Sequence, residues 1–299
     1  MRLILVRMKN ILKKFLPYGI LALYRKLRYR PAVRYLGNYP DWNAAARVCR
    51  GYDAADILER VRKAVLEVLA GHAVFERDSV LFNHEEPNHP LLNAMLFAGH
   101  NRTHLRILDY GGGLGSVYFQ NRKFLSCFKQ ISWRIVEQPH FVAAGLELFR
   151  EHPSLSFYNS LEEAVKDWMP DLVLFSSVLQ YLPDFQAVLH RAQACGCRYI
   201  FIDRCLCFKQ ETASHRYCAQ QVSEAIYPAS YPVQIFNRRE LLEPLAAEYD
   251  LLDEFLSYPD EIHLEKPSAT ALYQGWFLQR RNLPASVEMQ SKTQVGRVS

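Results

Sequence analysis

The first 40 residues contain no aspartate and no glutamate, although ten lysines and arginines lie among them between Arg2 and Arg34. Beyond that segment, 26 basic residues face 31 acidic ones, so the net +5 of the 299-residue chain becomes −5 for its body. An acidic body excludes a broad nucleic-acid surface, because phosphate contacts need Lys and Arg clustered where the polymer lies. A spanning apolar run is also missing from the basic segment. Its longest uncharged stretch, Phe15 to Tyr24, is ten residues, too short to cross a bilayer, and no Ala-x-Ala-like cleavage site follows. Two readings fit residues 1–40: a basic amphipathic arm whose residues 1–35 lie on an anionic membrane face, interrupted at Pro17 and Gly19, or a solvated or body-packed segment. Zinc-site spacing is lacking as well. The seven cysteines are odd in number, and Cys195-x-Cys197 and Cys205-x-Cys207 read as buried structural thiols of a cytoplasmic protein, so no metal is assigned. His84 and His89 flank Glu85 and Glu86, but Pro87 and Pro90 break the helix that would align them. No internal repeat or low-complexity tract is present.

What the chain does have is a glycine-rich loop. Residues 106–119 run from an apolar strand pattern ending on Asp109, through Gly111, Gly113 and Gly115, into an apolar helical pattern. Glycine tolerates positive φ and lacks a Cβ, so such a loop turns sharply beneath a ligand and brings N–H groups close to it. A dinucleotide loop would place a third glycine where Ser116 stands, and a carboxylate at Asp109 would repel a pyrophosphate. It suits a cationic ligand instead. The order Asp-x-Gly-x-Gly-x-Gly resembles motif I of class I S-adenosylmethionine methyltransferases, which implies S-adenosyl-L-methionine as cofactor.

Around the loop, strand and helix signals alternate. Strands are expected at Leu105–Asp109, Ile131–Glu137, Leu155–Tyr158, Asp171–Phe175 and Arg198–Asp203. Helices are expected from Leu114, over 139–150 and over 185–194, with a later one near 238–249 that Pro244 must start or kink. The runs 251–256 and 271–279 read as an antiparallel pair. The alternation gives an α/β class with helices on both faces of a parallel sheet, and the resemblance implies a Rossmann-like class I methyltransferase fold with a mostly parallel seven-stranded sheet and an N-terminal helical extension. Residues 41–100 form that extension or cap, with two helices over 41–71 and a short one near Pro90–Ala98. Residues 101–281 form the cofactor-binding domain, and 282–299 a disordered tail.

Several phrases narrow the resemblance. Phe75-Glu-Arg-Asp-Ser79, Leu108-Asp-Tyr-Gly-Gly-Gly-Leu-Gly115, Val136-Glu-Gln138, Ser177-Val-Leu-Gln-Tyr181, Ile202-Asp-Arg204 and Ala229-Ser-Tyr-Pro232 together resemble a bacterial methyltransferase family whose genes often accompany those of surface polysaccharide synthesis. Its members are assigned by resemblance rather than by demonstrated chemistry, so it implies a reaction type and not a substrate.

Site expectations follow. Glu137, 22 residues beyond Gly115, is placed to accept hydrogen bonds from a ribose diol. Ser160 either lies near the adenine or caps a helix with Glu163 completing the box, and both readings stay open. Ser176 is expected beside the methionine part of the cofactor. For the acceptor, a small molecule or glycan, His215, Asp203 and Tyr181 are the candidate bases. Arg204, Tyr227 and Tyr231 are expected in an acceptor lid built from 204–234, the other reading being a covering loop. Glu76-Arg77-Asp78 either forms an internal ion-pair cluster or reaches the acceptor. The competing functions are a nicotinamide-dependent oxidoreductase and a non-catalytic, membrane-associated scaffold.

Overall fold

The computed structural model describes residues 33–49, 54–210, 214–222 and 229–281. The expected membrane arm, apart from its last residues, the tail and Tyr227 lie outside the described residues.

The elements run β1 (Val33–Tyr39), α1 (Trp42–Val48), α2 (Ala54–Leu69), β2 (Phe75–Arg77), β3 (Val80–Phe82), α3 (His89–Ala98), β4 (His104–Tyr110), α4 (Ser116–Asn121), β5 (Gln130–Val136), α5 (Pro139–Leu148), β6 (Leu155–Tyr158), α6 (Leu161–Val165), β7 (Leu172–Ser176), α7 (Phe185–Ala194), β8 (Tyr199–Phe208), β9 (Arg216–Val222), β10 (Ser230–Ile235), α8 (Arg238–Leu242), β11 (Tyr249–Leu256), β12 (Ile262–Glu265) and β13 (Ala269–Arg280). Short 3₁₀ turns occupy Leu179–Tyr181 and Glu243–Leu245.

Parallel strands β6-β5-β4-β7-β8, then antiparallel β13 and its partner β11, form the seven-stranded unit of the class I methyltransferase fold. Alternation along the strands sorts the core. Ile107, Trp133, Leu174 and Phe201 face α2, α3, α4 and α5, whereas Leu108, Val136, Phe175 and Ile202 face α6, α7 and α8. Burial on both sides explains why these strands read as near-continuous apolar runs.

Four more strands extend the sheet to eleven among the described residues, in the order β13-β12-β1-β9-β10. They attach to the distal half of β13 because β8 overruns its neighbour. The β7–β8 ladder ends at Ser176↔Asp203, while β8 continues to Phe208 against β13. A register break opposite Gly275 separates the two halves and leaves Arg204 at φ +53°, a bulge of the kind that re-aims a side chain. The extension thus projects past the carboxyl ends of the parallel strands.

Three expectations are corrected here. The stretch 204–234 is not a lid loop in its described parts: 204–208 complete β8, 216–222 form β9 and 230–235 form β10. Pro232 is tolerated because β10 is an edge strand bonded only to β9. Likewise, Val33–Tyr39 at the end of the supposed arm is an interior strand, with Tyr35 opposite both Leu264 and Gln220. The expected helix over 238–249 stops at Leu242 and gives way to a 3₁₀ turn holding Pro244, and residues 75–82, between α2 and α3, form the β2–β3 hairpin.

Candidate functional site

The glycine loop joins β4 to α4 at the carboxyl edge. Gly111 has φ +76° and a Cβ there would meet Val178 at 2.5 Å, so conformation and space both demand glycine. At Gly113, φ is +57° and nothing lies within 4 Å of a built Cβ, so this part of the loop faces open space. Gly115 is the left-handed N-cap of α4.

Beneath the loop sits Asp109, 1% exposed. Its Oδ2 accepts from Trp133 Nε1 at 3.0 Å, while Oδ1 is buried with no hydrogen-bond partner among the described residues. Burial, partly offset by the Trp133 bond, pushes its carboxyl up to about 7. Glu137 follows β5. Its side chain accepts from the Gln138 N–H at 2.7 Å, and burial raises its pKa. Across the loop, Glu76 of β2 is 2% exposed; it accepts from the Ser116 hydroxyl and from the Ser79 N–H at 2.9 Å, and burial raises its pKa too. None of these three acids has a salt bridge among the described residues. Of the two readings of Glu76-Arg77-Asp78, the internal ion-pair cluster is not formed among the described residues, since Arg77 pairs instead with Glu86 at 2.8 Å.

Next along the edge, Asp203 ties three elements together. Its Oδ1 accepts from Ser257 Oγ at 2.6 Å and its Oδ2 from Asn88 Nδ2 at 2.7 Å, with Ser176 Oγ at 3.4 Å and Arg204 Nε at 3.6 Å. Arg204 Nη2 donates to Ser176 Oγ at 2.7 Å. Ser176 and Arg204 therefore meet, as the sequence placed them at adjacent strand ends.

The three candidate bases lie in different surroundings. Asp203 has both oxygens engaged. Tyr181 is held as a phenol: burial raises its pKa, and its hydroxyl donates to Gln220 Oε1 at 3.0 Å, while Gln220 Nε2 donates to Tyr231 at 2.9 Å. That network, with the Tyr35–Tyr273 hydroxyl pair at 2.6 Å, welds the extension to the strand ends. His215 lies against the other face of the sheet. Its ring packs on Phe185 and Phe236, part of the core facing α7, and it lines a cavity of about 600 Å³ with Asp184, His190, Glu240 and Pro244.

Ser160 is a helix cap, its Oγ accepting from the Glu163 N–H at 3.1 Å while Glu163 reaches back to the Asn159 N–H at 3.1 Å. Ser160→Ala is expected to lose about 1 kcal/mol of stability in urea unfolding and to leave affinity for an adenosyl ligand within about twofold. Asn88 and Ser257 are residues of this edge to which the sequence did not point, and Glu76, expected in an ion-pair cluster or at the acceptor, lies instead against Ser116 at the end of the glycine loop.

No protein-family model matches the chain, and no curated protein matches its sequence. Solved structures resemble it in fold. The N-terminal domain of EvdMO1, solved in the presence of SAH and D-fucose, is 15% identical, with 78% of this chain and 100% of that one covered and a TM-score of 0.46. The [4+2]-cyclase SpnF is 12% identical, with 81% and 98% covered and a TM-score of 0.45. CalS10, a SAM-bound amino pentose methyltransferase from Micromonospora echinaspora, is 12% identical, with 65% and 90% covered and a TM-score of 0.40. The fold is the Rossmann-like class I methyltransferase fold, enlarged by four strands at its carboxyl edge.

Proposed function

We propose that the protein is an S-adenosylmethionine-dependent methyltransferase whose acceptor is a hydroxyl of a sugar or cell-surface glycan precursor. The observation that carries this reading is the charge around the loop: Asp109, Glu137 and Glu76 adjoin residues 111–116 without a salt bridge among the described residues, and one buried oxygen of Asp109 has no hydrogen-bond partner among them. An uncompensated buried carboxylate is costly, and a cationic ligand relieves it. A pyrophosphate would add to the repulsion, which disfavours the oxidoreductase alternative.

The residues fit the cofactor. The loop backbone would run along the cofactor with Asp109 beneath it complementing the positive sulfonium, and Glu137, oriented by the Gln138 N–H, would take the ribose hydroxyls. Bound S-adenosylmethionine supplies a methyl group on a sulfonium, a good leaving group for in-line displacement. What the chain supplies is alignment and exclusion of water, for which the rigid Asp203–Ser257–Asn88–Arg204 junction and the tyrosine-tied extension form a preorganised wall. With Asp203, Tyr181 and His215 committed elsewhere, the acceptor is activated mainly by position.

Calorimetric titration with S-adenosylhomocysteine and, separately, NAD tests the reading. Binding of the first without the second is expected. Binding of NAD alone reverses the assignment to the oxidoreductase, and binding of neither by folded protein favours the scaffold.

A further inference from the structure

The buried acid contributed from outside the Rossmann unit has a role to itself. We infer that Glu76 holds the α-ammonium of the cofactor, so that the β2–β3 hairpin completes the cofactor site; this rests on the reading of the glycine loop as an S-adenosylmethionine site. The hairpin is a defined element. Phe75 stacks on Phe82 with ring centroids 4.5 Å apart, and Asp78 and Ser79 at its tip both adopt positive φ, the twist that a two-residue hairpin turn requires.

The turn delivers the Ser79 N–H to one oxygen of Glu76, and Ser116, the first residue of α4 after the loop, delivers its hydroxyl to the other. Each carboxylate oxygen thus has one neutral donor and spare acceptor capacity. No Lys, Arg or His forms a salt bridge with Glu76 among the described residues, and the adjacent guanidinium is drawn off, Arg77 lying 4.8 Å over the Phe82 ring and bonding Glu86. Asp78 adds negative charge nearby. A neutral side chain would fill this place at less cost, so the carboxylate is explained by a cation arriving from elsewhere.

The other two acids are less suited to that cation. Asp109 lies below the loop, where a Cβ on Gly112 would come within 2.5 Å of its Oδ2, and Glu137, at the end of the neighbouring strand, accepts from the Gln138 amide. Glu76 reaches the end of the loop, where the Ser116 hydroxyl bonds it. The partnerless Oδ1 of Asp109 is an independent sign that the same loop is built for a positive ligand.

The test compares S-adenosylhomocysteine with its analogue in which hydrogen replaces the α-amino group, titrated calorimetrically into wild type and Glu76→Gln. Wild type is expected to prefer the amino form by about tenfold, and Glu76→Gln to lose about tenfold for that form while binding the deaminated one within about twofold of wild type. A variant that still discriminates fully, or that loses both ligands equally, overturns the inference and leaves the cofactor reading standing. Wild-type protein that binds neither ligand overturns both. Should Glu76→Gln fail to fold, Glu76→Asp keeps the charge on a shorter stem. Reduced discrimination with the deaminated ligand unaffected supports the role, and unchanged discrimination overturns it.

Discussion

Asp109→Asn is expected to make the protein more stable and nearly unable to bind S-adenosylmethionine. The sign follows from burial. The carboxyl is held at about 7 in the fold against an ordinary value near 4, so the folded state binds the proton more tightly than the unfolded chain. Its contribution to stability is full below about pH 4 and is lost as pH rises through 7, a loss of about 2–4 kcal/mol by pH 8. Asn keeps a carbonyl for the Trp133 indole, carries no charge, and escapes that loss. Urea unfolding at pH 8 should show the variant more stable by about 2–3 kcal/mol, with the difference vanishing near pH 4. Affinity moves the other way. A sulfonium ligand stabilises the ionised acid, so wild-type binding should strengthen from pH 6 to 8 with release of a proton, whereas the variant should bind at least about 100-fold more weakly and with little pH dependence. Equal affinity in the two proteins would remove Asp109 from the cofactor site. Equal stability across the pH range would show that water compensates Oδ1.

The parts of the site legible in sequence are those set by local pattern. The loop glycines, Asp109 at a strand end and Glu137 one strand later are fixed by the spacing of a βαβ unit, which single-chain periodicity records. The missed parts depend on pairings far apart in the chain. Tyr35 becomes interior only because Gln220 and Leu264 flank it, and β9 and β10 read as polar loop because their ladder partners, not their own apolar content, make them strands. Glu76 looked like one acid in a charged triplet. Its burial arises from the hairpin docking on α4, which no spacing announces. Ser160 shows the converse: the capping box was visible beforehand, and local hydrogen bonding decided the side chain's use.

Asp203→Ala is expected to destabilise the fold by about 3–5 kcal/mol, the largest loss of any single site residue, because the aspartate is an anchor rather than a base. Removing it strands three groups at once. Asn88 loses the acceptor that links the N-cap of α3 to the strand ends, Ser257 loses its 2.6 Å partner, and the half-shielded Arg204 guanidinium loses its nearest anion at 3.6 Å. Each is a part-buried donor left without its acceptor, a circumstance in which deletion costs more than the mean hydrogen bond. Asp203→Asn retains one acceptor and should lose about 1–3 kcal/mol, since its amide nitrogen must face a donor. A general base behaves otherwise: substitution would leave the unfolding midpoint in place and reduce only turnover. Chemical denaturation of the two variants therefore separates the roles without any knowledge of the acceptor. Because Arg204 and Ser257 sit where the bulge in β8 turns the sheet outward, the same loss should also loosen the extension, seen as faster amide exchange in β9 and β10 than in β4 and β5.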